Sequence, residues 1–299
     1  MITALILLAA LLLDFLLGDP RRGHPLAGFG RLAQQIETPL HGERRWRGVV
    51  ALLFAISPWV IIAALVPSQG AGWLALQAVL LYFTLGAKSL ARHGHEVMQS
   101  LVSGDLHQAR LKVDWIVSRD TGQLDEAGVA RAACESVLEN GNDAIFGAIF
   151  WFVLLGLPGA VLYRLVNTLD AMWGYRTARY LHFGWAAARF DDLLNYIPAR
   201  LTALTYALLG DTRRALRCWR VQGHHMESPN GGPVMSSGAG ALALQLGGPA
   251  CYHGAMKEKP WIGEGRTPDA GDIQRAIRLV QYGVVAWCGL ILCGGFLVG

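Results

Sequence analysis

Carboxylates and amides crowd one short stretch of the chain that leads directly into an apolar run. The stretch CESVLENGNDAIFGAIFWFVLLGLPG carries Glu135, Glu139 and Asp143 before its apolar part begins. A helix beginning near Asp125 would align Arg131 with both glutamates, at positions i, i+4 and i+8. Charge beside an apolar segment is costly to desolvate unless it is paired or binds a metal. The stretch therefore indicates either phosphate and Mg²⁺ chemistry or an ion-pair ladder.

Helix capping explains part of the same stretch. Asn140-Gly141 would end one helix as a C-cap, Asn142 would cap the next helix, and Asp143 would favour its positive end. Capping does not explain why both glutamates collect at this place. Both interpretations therefore stay open.

Two further runs carry carboxylates and amides at helical spacing. In YRLVNTLDAMWGYR, Asn167 and Asp170 are three residues apart, so they would face one side of a helix and could supply oxygen ligands to Mg²⁺. This run also suits the solvated face of an amphipathic helix. The second run, RFDDLLNYIPARL, supplies Asp191, Asp192, Asn195 and Arg200.

Shorter polar runs follow the first apolar segment and an amphipathic stretch. GDPRRGHP contains Arg21 and His24, although basic residues beside a span ordinarily set topology and a lone His before Pro is usually structural. SRDTG contains Arg119, Asp120 and Thr121, which suit either an anion-holding turn or a capping turn.

A Gly- and Pro-rich region extends over residues 228–254 and includes SPNGGPVMSSGAGALALQLGGP, with Ser228 and Asn230. Its composition predicts an ordered loop over a site, with a linker as the alternative. The pattern GAGALA lacks the preceding strand that a dinucleotide-binding motif needs, and the chain contains no Gly-Lys pair, which excludes a P-loop.

The composition is that of a membrane protein. The 299 residues are 53% hydrophobic and 16% charged, whereas soluble domains carry about 25% charged residues. The net charge of +4 comes from basic residues clustered beside apolar segments, as in membrane loops, so nucleic acid is not an expected partner. The five cysteines form neither a disulfide framework nor a zinc pattern.

Several apolar segments approach the roughly 20 residues that a membrane span requires. A shorter apolar segment at 201–209 predicts a buried or interfacial helix. The first apolar segment, at residues 2–17, lacks the basic n-region and the cleavage site of a signal peptide, so we expect it to be a retained helix. The candidate spans are residues 2–17, 48–66, 72–87, 144–163 and 279–298.

Lys and Arg placement predicts the orientation. Arginines fill the first loop, whereas the link PSQGA between the next two segments is uncharged. The GLPG at residues 156–159 predicts a broken or re-entrant element, because Gly and Pro interrupt helices. We therefore expect an all-α, polytopic membrane protein with about four to six embedded helices. It would form a single domain over residues 1–299, with segments of about 18–47, 88–143 and 164–278 facing the cytoplasm.

Taken together and in order, these runs resemble the adenosylcobinamide-phosphate synthase family of cobalamin biosynthesis, CobD/CbiB. The resemblance extends from Leu13 to Gly254. It rests on LDFLLGDPRRGHPLAGFGRL, VSRDTGQLDEAGVARAACESVLENGNDAIF, GLPGAVLYRLVNTLDAMWGY, FDDLLNYIPARLTAL and SPNGGPVMSSGAGALALQLGGPACYHG.

The resemblance implies an integral enzyme of the bacterial inner membrane with its active site on the cytoplasmic face. Such an enzyme joins a propionate carboxylate of adenosylcobyric acid, a corrinoid, to the amine of (R)-1-amino-2-propanol phosphate and hydrolyses ATP with Mg²⁺. The partners implied are these substrates, the lipid bilayer, other late corrinoid-assembly enzymes and a second copy of the chain.

The resemblance also implies roles for the polar residues. The residues implied in Mg²⁺ binding are Glu135, Glu139 and Asp170. The catalytic carboxylates implied are Glu135, Glu139, Asp143, Asp170 and Asp191. The residues implied in binding substrate and phosphate are Arg21, His24, Arg119, Asp120, Thr121, Asn140, Asn167, Asp192, Asn195, Arg200, Ser228 and Asn230.

Two other functions compete with the enzyme. A related family linked to β-lactamase induction suggests a non-catalytic membrane sensor. A transporter would carry charges at bilayer depth. We expect only Asp14 inside a span and the remaining charges in loops, which weighs against transport.

Overall fold

The computed structural model describes residues 1–20, 23–252 and 254–298, with side chains as far as residue 295. Helices dominate these residues, which confirms the predicted all-α class. The α-helices are α1 Ile2–Leu17, α2 Pro25–Leu40, α3 Arg45–Ala64, α4 Ala71–Tyr82, α5 Ala87–Val102, α6 Leu106–Asp114, α7 Glu126–Gly141, α8 Gly147–Trp173, α9 Trp185–Leu209, α10 Thr212–Gln222, α11 Gly231–Leu242 and α12 Ala270–Val298. A π turn, Asn142–Phe146, joins α7 to α8, and a 3₁₀ turn, Gly223–His225, follows α10.

The strands are short and form two antiparallel pairs. Strand β1 Leu246–Gly247 pairs with β4 Trp261–Ile262, and β2 Ala250–Tyr252 pairs with β3 Ala255–Lys257. They shape the connection between α11 and α12.

Among the described residues, four helical stretches are long and apolar enough to cross a membrane. They are Arg45–Ala64, Ala71–Val102, Glu126–Trp173 and Ala270–Gly295, and the apolar helix α1 is shorter. This confirms a helical protein with several potential membrane crossings. The third predicted segment, 72–87, is interrupted, because α4 ends at Tyr82 and α5 begins at Ala87.

The chain divides into two compact units. The first comprises Met1–Gly86, Asp143–Asn195 and Cys288–Gly299, and the second comprises Ala87–Asn142 and Tyr196–Trp287. The prediction of one domain over 1–299 stays a prediction.

In the first unit, a buried glutamate ties the segment between α8 and α9 to α2. Glu37 accepts hydrogen bonds from Trp173 Nε1 at 3.1 Å, Arg179 Nη2 at 2.8 Å and the Tyr180 hydroxyl at 3.1 Å. One carboxylate thereby fixes the connection between the two helices that carry Asp170 and Asp191.

In the second unit, α11 is a fully buried helix. Residues 228–254 were predicted as a loop because Gly and Pro usually interrupt helices, and for residues 231–242 that prediction is wrong. Small side chains allow close packing here: a Cβ on Gly240 would lie 2.8 Å from Ala215 Cα, and one on Gly238 would lie 2.8 Å from Leu138 Cδ2. The glycines of α11 therefore serve helix packing.

Although α7 ends at Gly141, the backbone stays helical through the π turn that follows, so the interpretation of Asn140-Gly141 as a C-cap is wrong. Asn142 has helical backbone angles, φ −67° and ψ −55°, and its side-chain oxygen accepts a hydrogen bond from Thr202 Oγ1 at 3.0 Å. Gly141 is needed for packing, because a Cβ there would collide with the Tyr206 hydroxyl. The helix continues through the π turn into α8.

The predicted break at GLPG is confirmed. Gly156 interrupts α8 with φ 67° and ψ −157°, and Pro158 follows two residues later. Such angles are essentially restricted to glycine, and Pro lacks the N–H that a regular helix would use. Helix α8 is therefore broken within its apolar part.

Candidate functional site

A network of hydrogen bonds around Asp191 connects α8 and α9 in the first unit. Asp191 Oδ1 accepts from Asn167 Nδ2 at 3.3 Å, and Asp191 Oδ2 accepts from Asn195 Nδ2 at 2.9 Å. The buried Tyr163 hydroxyl donates to Asn195 Oδ1 at 2.8 Å. We call Tyr163, Asn167, Asp191 and Asn195 the Asp191 network. Both oxygens of its carboxylate are oriented by neutral amide donors.

Other carboxylates surround the Asp191 network. Burial, followed by repulsion from Asp143, raises the pKa of Asp191 to about 7, although hydrogen bonds from the two asparagines oppose the rise. The negative charges of Asp191 and Asp192 repel that of Asp170. Burial also raises the pKa of Asp192, while Arg189 and Arg176 lower it. Asp191 can therefore exchange a proton near neutral pH.

Arg164 lies beside Asp143, and it was not among the predicted site residues. Its Nη1 donates to the Asp143 carbonyl oxygen at 3.4 Å, while its buried Nε has no hydrogen-bond partner among the described residues. Asp19 and Asp143 both interact with its charge. Arg164 stands three residues before Asn167, and that helical spacing was the available signal.

Asp143, Arg164 and Asp170 lie in the helical stretch Glu126–Trp173. The expectation that charges other than Asp14 lie in loops is therefore wrong. The apolar part of α8 was read as a separate segment, whereas the helix extends beyond it in both directions.

His24 has a structural position at the start of α2. Its Nδ1 accepts a hydrogen bond from the Leu26 N–H at 3.1 Å, so the ring proton lies on Nε2, which is 3.8 Å from Asp19 Oδ1. Burial lowers the pKa of His24, as does Arg164, while Asp19 opposes this. Its predicted role in substrate binding stays a prediction. Arg21 lies outside the described residues.

In the second unit, Glu135 is buried and has a cationic partner. Arg119 Nη2 donates to Glu135 Oε2, and the Gly247 N–H donates to Oε1 at 2.6 Å. Burial favours the neutral form of Arg119, but Glu135 raises the pKa of its guanidinium overall. This ion pair links α7 to the segment before α7 and to β1.

Glu139 and Asn140 lie one turn further along α7. A Cβ on Gly231 would lie 2.6 Å from Glu139 Oε1, so this carboxylate lies against the first residue of α11. Asn140 donates to the Ser136 carbonyl oxygen at 2.9 Å on its own helix. A carboxylate at a helix N-terminus is electrostatically favourable.

The SRDTG turn forms local hydrogen bonds in the same unit. The Asp120 N–H donates to the Cys251 carbonyl oxygen at 2.9 Å, and Asp120 Oδ2 accepts from the Gly254 N–H at 2.8 Å. Thr121 Oγ1 donates to Asp114 Oδ1 at 3.1 Å. The turn is thus connected to the β2–β3 hairpin.

Arg200 contacts the segment before α11. It donates to Asn230 Oδ1 at 2.9 Å and to the Pro229 carbonyl oxygen at 3.2 Å. Ser228 Oγ accepts from the Gly231 N–H at 2.9 Å. Arg200 therefore contacts Asn230, which the sequence placed in a different run together with Ser228.

The oxygen atoms of these side chains could bind Mg²⁺ only together with ligands from substrate or water. Within the part of the chain that the structure describes, no three His, Cys, Asp or Glu side chains converge closely enough to hold a metal ion. The oxygen donors of Asp170, Asp191 and Asn167 are of the type that Mg²⁺ prefers, and it commonly binds one or two carboxylates plus substrate phosphates and water. Magnesium ligation by Glu135, Glu139 and Asp170 stays a prediction.

Apolar helices that carry carboxylate, amide and arginine networks define a helical membrane protein with polar sites built on its helices. Comparison with known families makes this more specific. Residues 7–280 match the family described as CobD/Cbib protein, and the chain belongs to that family.

Similar proteins cover nearly the whole chain. One from Stutzerimonas stutzeri (strain A1501) is 58% identical over 97% of each chain, and one from Chromobacterium violaceum is 55% identical over 99% of this chain and 98% of its own. A Mycobacterium tuberculosis relative is 42% identical over 91% of this chain and 90% of its own. Each is named cobalamin biosynthesis protein CobD. No solved structure matches.

Proposed function

We propose that this protein is a membrane enzyme of cobalamin biosynthesis that forms an amide bond at the expense of ATP. It joins a propionate carboxylate of adenosylcobyric acid to the amine of (R)-1-amino-2-propanol phosphate, giving adenosylcobinamide phosphate. Family membership and the names of the relatives support the pathway. The observation that supports the chemistry best is the Asp191 network.

Amide formation requires an activated carboxylate and a neutral amine. A carboxylate is a poor electrophile, so the carboxylate of the corrinoid takes up the terminal phosphoryl group of ATP and ADP leaves. The amine then attacks the acyl phosphate and phosphate departs. Mg²⁺, when bound with ATP, neutralises phosphate charge in such transfers.

Asp191 has the properties of the base for the attacking amine. An amine that arrives as an ammonium ion must lose a proton, and a base is most effective when its pKa lies near the working pH. The pKa of about 7 and the two amide donors that orient the carboxylate fit this task. Arg164 would bind the anionic group of a substrate, because a guanidinium matches carboxylate and phosphate oxygens.

The test is amide formation by the purified, detergent-solubilised protein with adenosylcobyric acid, aminopropanol phosphate and Mg-ATP. We expect product with the parent and with Glu43→Gln, an exposed carboxylate of the first unit. Asp191→Asn and Asp170→Asn should lose most of the activity. No product from correctly folded parent protein would disprove the proposal, and full activity in both variants would remove these aspartates from the mechanism.

Transport is the second candidate function, because transporters also carry charged residues within their membrane helices. Asp143, Arg164 and Asp170 provide such charges. Proteoliposomes that accumulate a corrinoid without ATP-dependent amide formation would favour this function. The sensor alternative predicts neither product nor uptake.

A further inference from the structure

A surface cavity of about 420 Å³ lies in the second unit, at the end of α10 and the beginning of α11. Its volume falls within the range of about 300–1,000 Å³ that is typical of small-molecule sites. The lining residues that matter for its chemistry are Arg200, Trp219, Arg220, Met226, Glu227 and Pro233.

The cavity has a positive electrostatic character. Arg200 and Arg220 both line it, and among the described lining residues Glu227 is the only carboxylate. Glu227 Oε1 is 2.6 Å from Lys257 Nζ. Because Lys257 offsets the charge of Glu227, the two arginines dominate, and the cavity favours an anion.

The arginines differ in how they are held. Arg200 donates to the Tyr196 carbonyl oxygen at 2.8 Å and to Asn230 Oδ1 at 2.9 Å, and its guanidinium lies 3.6 Å from the centre of the Tyr196 ring. A guanidinium fixed in this way loses little freedom when a ligand binds. Arg220 is exposed and forms no hydrogen bond or ion pair with the described residues. Its donors are therefore available to a ligand.

The remaining wall of the cavity includes apolar surface. Trp219, Met226 and Pro233 supply aromatic and aliphatic surface beside the arginines. An inorganic anion would use the cationic side alone, whereas an ester of phosphoric acid would use both sides. Arg guanidinium groups bind phosphate oxygens through paired hydrogen bonds.

We propose that this cavity binds a phosphate ester, with Arg200 and Arg220 on the phosphate and the Trp219 side against the organic part. The inference deepens the proposed function, on which it rests, because both ATP and aminopropanol phosphate are phosphate esters. The sequence already indicated Arg200 as a phosphate-binding residue. The cavity adds Trp219 and Arg220, which the sequence did not indicate.

Equilibrium dialysis of the full-length, detergent-purified protein tests the proposal without turnover. The labelled probes are a non-hydrolysable ATP analogue, aminopropanol phosphate and inorganic phosphate. We expect Arg220→Gln to weaken binding of one ester about 10-fold or more, as for loss of charge-assisted hydrogen bonds. Arg213→Gln, an exposed arginine of the same helix outside the lining, should leave the dissociation constant unchanged.

A second variant tests the charge argument independently. Lys257→Gln removes the positive charge that offsets Glu227, so it should weaken ester binding, whereas Glu227→Gln should preserve or strengthen it. The ester that binds identifies the source, nucleotide or amino alcohol. Equal binding by Arg220→Gln and Arg213→Gln, binding of inorganic phosphate alone, or no binding to folded parent protein would overturn the proposal. Because no product is measured, failure of amide formation alone would leave this result intact.

Discussion

The two most informative carboxylates of this chain differ in the groups that they contact. Asp191 accepts hydrogen bonds from neutral amides, which orient the carboxylate without cancelling its charge. Glu135 is matched by the guanidinium of Arg119. A carboxylate with neutral partners can take up and release a proton at little structural cost, whereas one in a buried ion pair serves mainly as an anchor.

The pH dependence of amide formation should report the titration of Asp191. Its pKa is raised above the ordinary value for aspartate, so the basic carboxylate form accumulates only as the pH rises through about 7. We therefore expect kcat/KM to increase between about pH 6 and pH 8 and then to level off. The measurement is initial rate against pH for the parent protein.

The Asp191→Asn variant provides the comparison for this profile. It should lose the increase near pH 7 and show an increase only at higher pH, where the amine of the substrate is already neutral. Glu43→Gln should reproduce the parent profile. An unchanged profile in Asp191→Asn would assign the titration to another group.

Removal of the Glu135 side chain should mainly lower the stability of the folded protein. Glu135→Ala leaves Arg119 without its ion-pair partner, and loss of one partner of a buried pair costs about 3–5 kcal/mol. We expect a large fall in the apparent melting temperature in detergent. The exposed pair Arg217–Glu264 is the matched control, so Glu264→Ala should change this temperature little. Equal shifts would contradict an anchoring role for Glu135.

At the scale of the element, local patterns predicted the helices better than the connections between them. Long apolar runs identified α3 and α12 because span length is a property of the segment alone. Asn140-Gly141 looked like a helix end, yet the glycine is required by Tyr206, which lies far away in sequence. Likewise, no local signal pairs Arg119 with Glu135. Contacts that depend on tertiary packing were therefore beyond the reach of local patterns.

The break in α8 should depend on Gly156. A Cβ at this position would meet only Pro158, at 3.8 Å, so the cost of a substitution is conformational rather than steric. Alanine disfavours φ 67° and ψ −157°, and we expect Gly156→Ala to reduce stability by about 1–3 kcal/mol. The measurement is thermal unfolding in detergent.

Gly72 is the control for this substitution. It lies in α4, with nothing within 4 Å of an added Cβ. Gly72→Ala should therefore be neutral or slightly stabilising, because alanine favours helical backbone. A neutral Gly156→Ala would show that α8 can continue without its break.

At the scale of the whole molecule, the distribution of arginines along the sequence indicates the orientation of the protein in the membrane. Arg31, Arg44 and Arg47 lie between the first and second apolar segments, and the following link, PSQGA, is uncharged. Helix α4 has 12 residues and rises about 18 Å, less than the roughly 30 Å of a hydrocarbon core. The longer helical stretch Ala71–Val102, of which α4 is the apolar beginning, has sufficient length.

Cysteine labelling should determine this orientation. In a variant whose five native cysteines are replaced, Arg176→Cys and Ser68→Cys each introduce one thiol at an exposed position. Arginine-rich segments remain on the cytoplasmic side, so Arg176→Cys should react with a membrane-impermeant maleimide only after spheroplasts are permeabilised. Ser68→Cys should react before permeabilisation. Labelling of both positions in intact spheroplasts would place the 164–278 segment outside. ATP and the corrinoid would then have no access to a site in that segment from the cytoplasm, so this result would also contradict the proposed ligase.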